Sequence, residues 1–180
     1  MSRRTPLVTL VTLLALLISA AGAQTLTLAM SAQPDSLDPQ ATAATAAFQI
    51  TKSLYDTLVE VDQKGEIVPA LASSYDVSPD GLTYTFHLVS TTFSDGTSLD
   101  SGDVKATVER ITSAALASPK ADEFKAISSI DTPDASTAVF HLSTPNAPML
   151  ATLASGWGAI LPSEKNAAGN DVANTPVGTG

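Results

Sequence analysis

Alternation of apolar and polar residues predicts most of the strands in this chain. After an SPDG turn at 78–81, one face of a strand is apolar and the other polar: Leu82, Tyr84, Phe86 and Leu88 against Thr83, Thr85 and His87. Similar patterns predict a first strand at 25–30, a hairpin around 63–65, two strands within 127–143 around a PDAS turn, and a short strand at 158–162. The second strand of the 127–143 pair has an apolar face made of Ala138, Phe140 and Leu142.

Apolar residues spaced three and four apart predict the helices. Two such stripes stand out, one within 42–58 and one after Asp100: Ala43, Ala47, Ile50, Leu54 and Leu58 in the first, Val104, Val108 and Ile111 in the second. Asp100 with Asp103 three residues later is the charge pattern of a helix start. Shorter helices are predicted at 118–127 and at 146–155, the latter with Pro148 in its first turn. Together these elements predict an α+β domain with a mostly antiparallel sheet.

The first 23 residues are typical of a secretory signal peptide. Arg3 and Arg4 precede an apolar run at 7–18, and the small residues at 21–23 predict cleavage after Ala23. A retained membrane anchor is disfavoured, because the run is shorter than the ~20 residues that a span needs. The sequence contains no cysteine, which excludes a disulfide and the thiol of a lipoprotein anchor. We therefore expect a mature chain without a membrane anchor, periplasmic or extracellular.

Charge and motifs narrow the function classes. With 18 acidic and 9 basic residues the formal net charge is −9, which disfavours binding to nucleic acid. There is no G-x-S-x-G nucleophile motif, and the carboxylate pairs at 100/103 and 122/123 lie at predicted helix starts or on solvated helix surfaces. His87 and His141 fall in mid-strand, without the spacing of a metal site. We expect no enzyme activity, no catalytic residues, no metal site and no cofactor.

Five stretches of the mature chain follow one another in the order found in a known family: QPDSLDPQ, SLYDTLVEVDQKGEIVPALASSYDVSPDGLTYTFHL, FSDGTSLDSGDVKATVERI, PNAPMLATLAS and PVGTG. In this order they resemble the extracellular solute-binding proteins of family 5, the peptide-, dipeptide- and nickel-binding subunits of ABC importers. Departures from the family pattern occur at Tyr75, where tryptophan is common, at Val89, where a basic residue is common, and in the loop VSTT, which lacks a glycine.

The resemblance implies a periplasmic-binding-protein-like type II fold, of which the chain holds the first strand of lobe one and the accessory domain. After the signal peptide of 1–23, it assigns 24–40 to the first strand and loop of lobe one and 41–172 to the accessory α+β domain. Residues 173–180 would begin the return to lobe one. The family continues beyond PVGTG, so we expect the remaining lobe to lie outside this sequence.

The same resemblance implies candidate ligand-binding residues. Gln33 and Pro34 fall in a loop that lines the cleft in the family, although an ordinary strand-exit loop would look the same. Lys120 falls where some peptide-binding relatives place a cleft residue, with a solvated lysine as the alternative. Trp157, the one tryptophan, either packs in the core or reaches the edge of the cleft.

The implied function is capture of di- and oligopeptides between two lobes and their delivery to the permease subunits of an ABC transporter. We expect a monomer whose partners are a small peptide ligand and the permease. Two alternatives stay open: the same fold binding nickel, haem or a sugar, or a secreted hydrolase whose catalytic residues lie beyond this sequence.

Overall fold

The computed structural model describes residues 29–30, 32–166 and 171–180. The predicted signal peptide and residues 25–28 of the predicted first strand lie outside this part, and residues 29 and 30 are not in a strand. Residues Ala32–Gly180 form one compact unit. Within the described ranges no helix is long and apolar enough to cross a bilayer.

The unit is built on a four-stranded antiparallel sheet in the order β3-β4-β6-β5. Its strands are β3 Ala72–Val77, β4 Thr83–Leu88, β5 Ile127–Asp134 and β6 Thr137–Leu142, and a separate hairpin joins β1 Val59–Val61 to β2 Ile67–Pro69. The hairpins predicted around 63–65 and 78–81 and within 127–143 are thereby confirmed. At the second turn Gly81 has a φ of +70°, a backbone conformation that favours glycine.

One face of the sheet forms the core. Tyr84 and Phe140 are opposite each other in the register, as are Phe86 and Ala138, and all four side chains are buried. The Phe86 and Phe140 rings meet edge to face with centroids 5.1 Å apart. The apolar faces predicted from alternation are therefore the buried ones.

Helix α2, Ser101–Thr112, packs on this sheet through the predicted stripe of Val104, Val108 and Ile111, all buried. Its start is a capping box: Asp100 accepts from the backbone N–H of Asp103, and the Asp103 carboxylate accepts from the backbone N–H of Asp100. The helix start predicted from the two aspartates is confirmed, because together they satisfy backbone donors that the first turn leaves unpaired.

Three other predicted helices are shorter than predicted: α1 Thr45–Thr51, α3 Ala121–Phe124 and α4 Met149–Leu153. A further short helix, α5 Ser163–Asn166, was not predicted. The prediction of a helix over 42–58 is wrong after Thr51. The chain turns at 52–54, and the carbonyls of Thr57 and Leu58 then accept from the N–H groups of Leu71 and Ala72. These hydrogen bonds need an extended backbone at residues 57 and 58. The chain is therefore not helical there, although its apolar residues have helical spacing. Pro148 is the N-cap of α4 and lies one position before the first turn of the helix, not within that turn as predicted.

The strand predicted at 158–162 is also wrong. Residues 156–158 form a 3₁₀ helix, and residues 159–161 are buried without strand pairing. Their backbone donors are satisfied otherwise: the N–H of Ile160 donates to the carbonyl of Asp56 at 3.0 Å, and the N–H of Leu161 to Thr107 Oγ1 at 3.1 Å. A short apolar run is compatible with a strand or with irregular buried backbone. The hydrogen-bond partners available to its N–H groups decide between the two.

Residues near Gly180 pack on the segment after α1. Thr179 Oγ1 donates to Asp56 Oδ2 at 2.8 Å, and the N–H of Gly180 donates to the Leu54 carbonyl at 3.3 Å. A Cβ at Gly178 would lie 1.9 Å from the Leu54 carbonyl oxygen, so only glycine fits this approach.

Candidate functional site

Lys120 and Trp157, two of the four predicted ligand-binding residues, lie in direct contact. Trp157 is half-buried in the 3₁₀ helix Gly156–Gly158, and Lys120 directly precedes α3. The Lys120 ammonium lies 4.7 Å from the centroid of the Trp157 ring and donates to Glu123 Oε1 at 2.5 Å. A cation over an indole face is worth about 0.5–1 kcal/mol at an exposed site. The ammonium is thus held in place at a surface where its side chain remains 34% exposed.

The other two predicted residues lie on the loop of 32–42, with Gln33 exposed and Pro34 half-buried. Trp157 is joined to this loop, since its Nε1 donates to the Thr42 carbonyl at 2.9 Å. Thr42 Oγ1 in turn donates to Asp35 Oδ1 at 2.7 Å, directly after Pro34. Through Thr42, therefore, hydrogen bonds link the contact between Lys120 and Trp157 to the loop that carries Gln33 and Pro34.

A buried polar cluster, not predicted from the sequence, lies behind this loop. The Arg110 guanidinium donates through Nη2 to Asp38 Oδ2 at 2.5 Å and through Nη1 to Asp38 Oδ1 at 3.1 Å. Nη1 also donates to Gln40 Oε1 at 2.7 Å. The only sequence signal for this cluster is an arginine directly before Ile111 of the buried stripe, with no indication of its partner.

A cavity of about 240 Å³ adjoins Trp157. Its walls combine aromatic rings with charged side chains: Phe48, Tyr55 and Trp157 with Lys52, Asp56 and Glu60. Phe48 meets Trp157 edge to face at a centroid distance of 4.7 Å. Trp157 thus has two neighbours of different character, an apolar ring at the cavity and the Lys120 ammonium.

Tyr55, in the wall of the cavity, is a titratable group whose pKa is shifted. Burial, and next the charge of Asp38, raise the pKa of Tyr55, whose hydroxyl donates to the Leu37 carbonyl at 3.2 Å. Its phenol is therefore protonated at neutral pH and stays so to higher pH than an ordinary tyrosine. His87 and His141 are 3.8 and 3.0 Å from Asp76 and Asp131, and the described residues contain no group of three or more side chains that could hold a metal.

The sequence of this chain is similar to that of proteins from one known family. Residues 66–180 match the sequence model of the bacterial extracellular solute-binding proteins, family 5. A Brucella ovis protein named as an ABC transporter peptide-binding protein is 37% identical over 145 residues, which cover 77% of this chain and 28% of the relative. The chain therefore spans little more than a quarter of that relative's length.

Solved structures agree in fold. The chain superposes on the binding protein AgaA of A. tumefaciens, in complex with agropinic acid, with a TM-score of 0.78 and 38% identity over 82% of this chain and 30% of AgaA. It superposes on DppA of Helicobacter pylori, in complex with the peptide STSA, with a TM-score of 0.70 and 34% identity over 81% of this chain and 33% of DppA. The periplasmic-binding-protein-like type II fold expected from the sequence is thereby confirmed for this part of such a protein.

Proposed function

The chain belongs to the bacterial extracellular solute-binding proteins of family 5, and on that premise we propose that it is part of a peptide-capturing subunit of an ABC importer. Its partners would be a di- or oligopeptide and the permease, and it would act as a non-catalytic monomer outside the cytoplasm. The observation that carries the proposal is the Lys120 ammonium fixed on Trp157 and linked by hydrogen bonds through Thr42 to the loop of Gln33 and Pro34.

Within this proposal, residues 24–40 and 173–180 belong to lobe one and 41–172 to the accessory domain. A second lobe closes over the solute, and binding shifts the population toward the closed form. Gln33, Pro34, Lys120 and Trp157 then contribute one wall of the cleft. Peptide backbone groups suit such a wall, because the partly exposed ammonium can donate to a carbonyl or carboxylate oxygen while the indole covers the apolar part.

The proposal is tested by calorimetric titration of the full-length protein, including the second lobe. The ligands are a set of di- to tetrapeptides that includes Ser-Thr-Ser-Ala. We expect at least one peptide to bind, and Lys120→Met to weaken that binding about fivefold or more. The matched control is Lys125→Met, whose lysine is paired with Asp122 and is 70% exposed, and which should bind like the wild type. Absence of binding by every peptide would contradict the proposed ligand class.

A second ligand class is favoured by the same lysine. An ordered ammonium on an indole face also suits an organic acid, and agropinic acid is the compound in the AgaA complex. In the same calorimetric experiment, binding of agropinic acid but of no peptide would favour this class. Both classes need Lys120, so the Lys120→Met variant should weaken whichever solute binds.

A further inference from the structure

The side chains of the ion pair between Asp38 and Arg110 are almost fully buried. Only 7% of the Asp38 side chain and 11% of the Arg110 side chain are exposed. Burying two charges has a high desolvation cost, and buried ion pairs often add little net stability. Stability alone is therefore a weak explanation for this pair, which directs attention to the groups that it holds in place.

The pair fastens the loop of 32–42 to helix α2. Arg110 reaches both Asp38 and Gln40, and Gln40 Nε2 also donates to the Thr107 carbonyl at 3.3 Å. Asp38 Oδ1 further accepts from the backbone N–H of Gln40 at 3.0 Å. The loop backbone around Gln40 is thus fixed by one guanidinium with two acceptors.

From Gln40 the contacts continue to both halves of the candidate site. The Gln40 carbonyl accepts from Ser118 Oγ at 2.6 Å, and Ser118 Oγ accepts from the backbone N–H of Lys120 at 3.3 Å. Two residues beyond Gln40, the Thr42 carbonyl accepts from Trp157 Nε1. One short segment therefore contacts the residue that supports Lys120 and the indole on which its ammonium lies.

We propose that Arg110 is a positioning residue of the solute site: it fixes Asp38–Gln40 and thereby the placement of the 33–42 loop, Lys120 and Trp157 relative to one another. This inference rests on the proposed function. Arginine is needed because its planar fork binds the Asp38 carboxylate with two parallel N–H groups and still reaches Gln40, whereas a lysine ammonium is a single point of charge. Arg110 itself would not touch the solute.

The first test uses no solute. In Arg110→Lys, hydrogen exchange of the backbone N–H groups of residue 38 and of residues 40–42 should accelerate about tenfold or more, while the N–H groups of β4 and β6 keep their wild-type rates. Acrylamide should quench Trp157 fluorescence more strongly in Arg110→Lys than in the wild type. The control is Val108→Ala, a core truncation in the same helix, which should accelerate exchange across the sheet without singling out 38–42. Wild-type exchange at 38–42 in Arg110→Lys, or the same local pattern in the control, would overturn the proposal.

If Arg110→Lys does not fold, the double variant Asp38→Asn/Arg110→Gln replaces it, because no buried charge is then left unpaired. The same local acceleration at 38–42 is expected, and a wild-type exchange pattern would overturn the proposal.

A second test measures the tetrapeptide Ser-Thr-Ser-Ala by stopped flow. Its dissociation rate should rise about tenfold in Arg110→Lys and stay near the wild-type value in Val108→Ala. An unchanged rate in Arg110→Lys would overturn the positioning role. If the wild type binds no peptide, the proposed ligand class fails and the exchange experiment alone decides the role of Arg110.

Discussion

The rings of Phe48 and Trp157 meet edge to face at a centroid distance of 4.7 Å and an interplanar angle of 74°. Gly156, directly before Trp157, lies against Phe48 so closely that a Cβ there would be 2.5 Å from Phe48 Cδ1. The position of the indole thus depends on a neighbour without a side chain. The contact joins two segments that are more than 100 residues apart in the sequence.

Gly156→Ala should destabilise the protein by about 1–3 kcal/mol, because the added methyl group displaces the Phe48 ring from Trp157. Urea unfolding followed by circular dichroism measures this loss. The matched background is Phe48→Ala, which removes the clashing ring. In that background Gly156→Ala should cost less than about 0.5 kcal/mol. An equal cost in both backgrounds would show that the effect of the methyl group is independent of Phe48.

Trp157→Phe should lower the free energy of unfolding by about 1–3 kcal/mol, because the buried Thr42 loses the donor that its carbonyl has in Trp157 Nε1. Thermal unfolding is the measurement. The control is Tyr75→Phe, which keeps a half-buried ring against Phe86 and should change stability by less than about 0.5 kcal/mol. If both substitutions have equal effects, the Thr42 hydrogen bond contributes nothing measurable.

What the sequence predicts well is set by local rules. The apolar faces that contain Phe86 and Phe140 follow from a two-residue period, and the start of α2 follows from Asp100 and Asp103 within one turn. The Asp38–Arg110 pair has no such signal, because its members are 72 positions apart and meet only in the folded chain.

In the candidate site, too, some features could be predicted from the sequence and others could not. The family resemblance predicts Lys120 and Trp157 separately, but their contact depends on how α3 and the 3₁₀ helix pack, which no local pattern encodes. The failure at 158–162 has a related cause. The chain is apolar there because it is buried, and hydrogen bonds to Asp56 and Thr107 replace strand pairing.

Tyr55→Phe tests the burial of a phenol. Around neutral pH the variant should be less stable by about 1 kcal/mol, because the hydrogen bond to the Leu37 carbonyl is lost. Burial, and next the Asp38 charge, raise the pKa of Tyr55 in the folded state above the ordinary value of 10.0. Above that pH the unfolded wild type releases a proton that the folded protein retains, so wild-type stability falls as pH rises. Phenylalanine cannot ionise.

The stability gap between wild type and Tyr55→Phe should therefore narrow between about pH 9 and about pH 11, as measured by urea unfolding at each pH. A gap that stays constant over this interval would contradict a raised pKa for Tyr55.

Asp103→Asn tests a carboxylate whose effect on stability should depend on pH in the direction opposite to the usual one. Asp103 is 4% exposed and accepts from the backbone N–H groups of Asp100 at 2.9 Å and Ser163 at 2.7 Å. Burial raises its pKa above 3.8, and the two hydrogen bonds lower it by less. As pH rises above 3.8 the unfolded state loses its proton first, so this group makes the wild type less stable through the interval up to its folded pKa. Asparagine carries no such proton.

The free energy of unfolding of the wild type relative to Asp103→Asn should therefore fall as pH rises above about 4, in urea titrations at each pH. Asp134→Asn is the control with the opposite sign. The Ser136 hydroxyl, as the largest cause, lowers the pKa of Asp134, so there the wild type should gain stability relative to the variant as pH rises. Because Asp134 is exposed and Asp103 buried, slopes of the same sign in both pairs would show that burial does not govern the titration of Asp103.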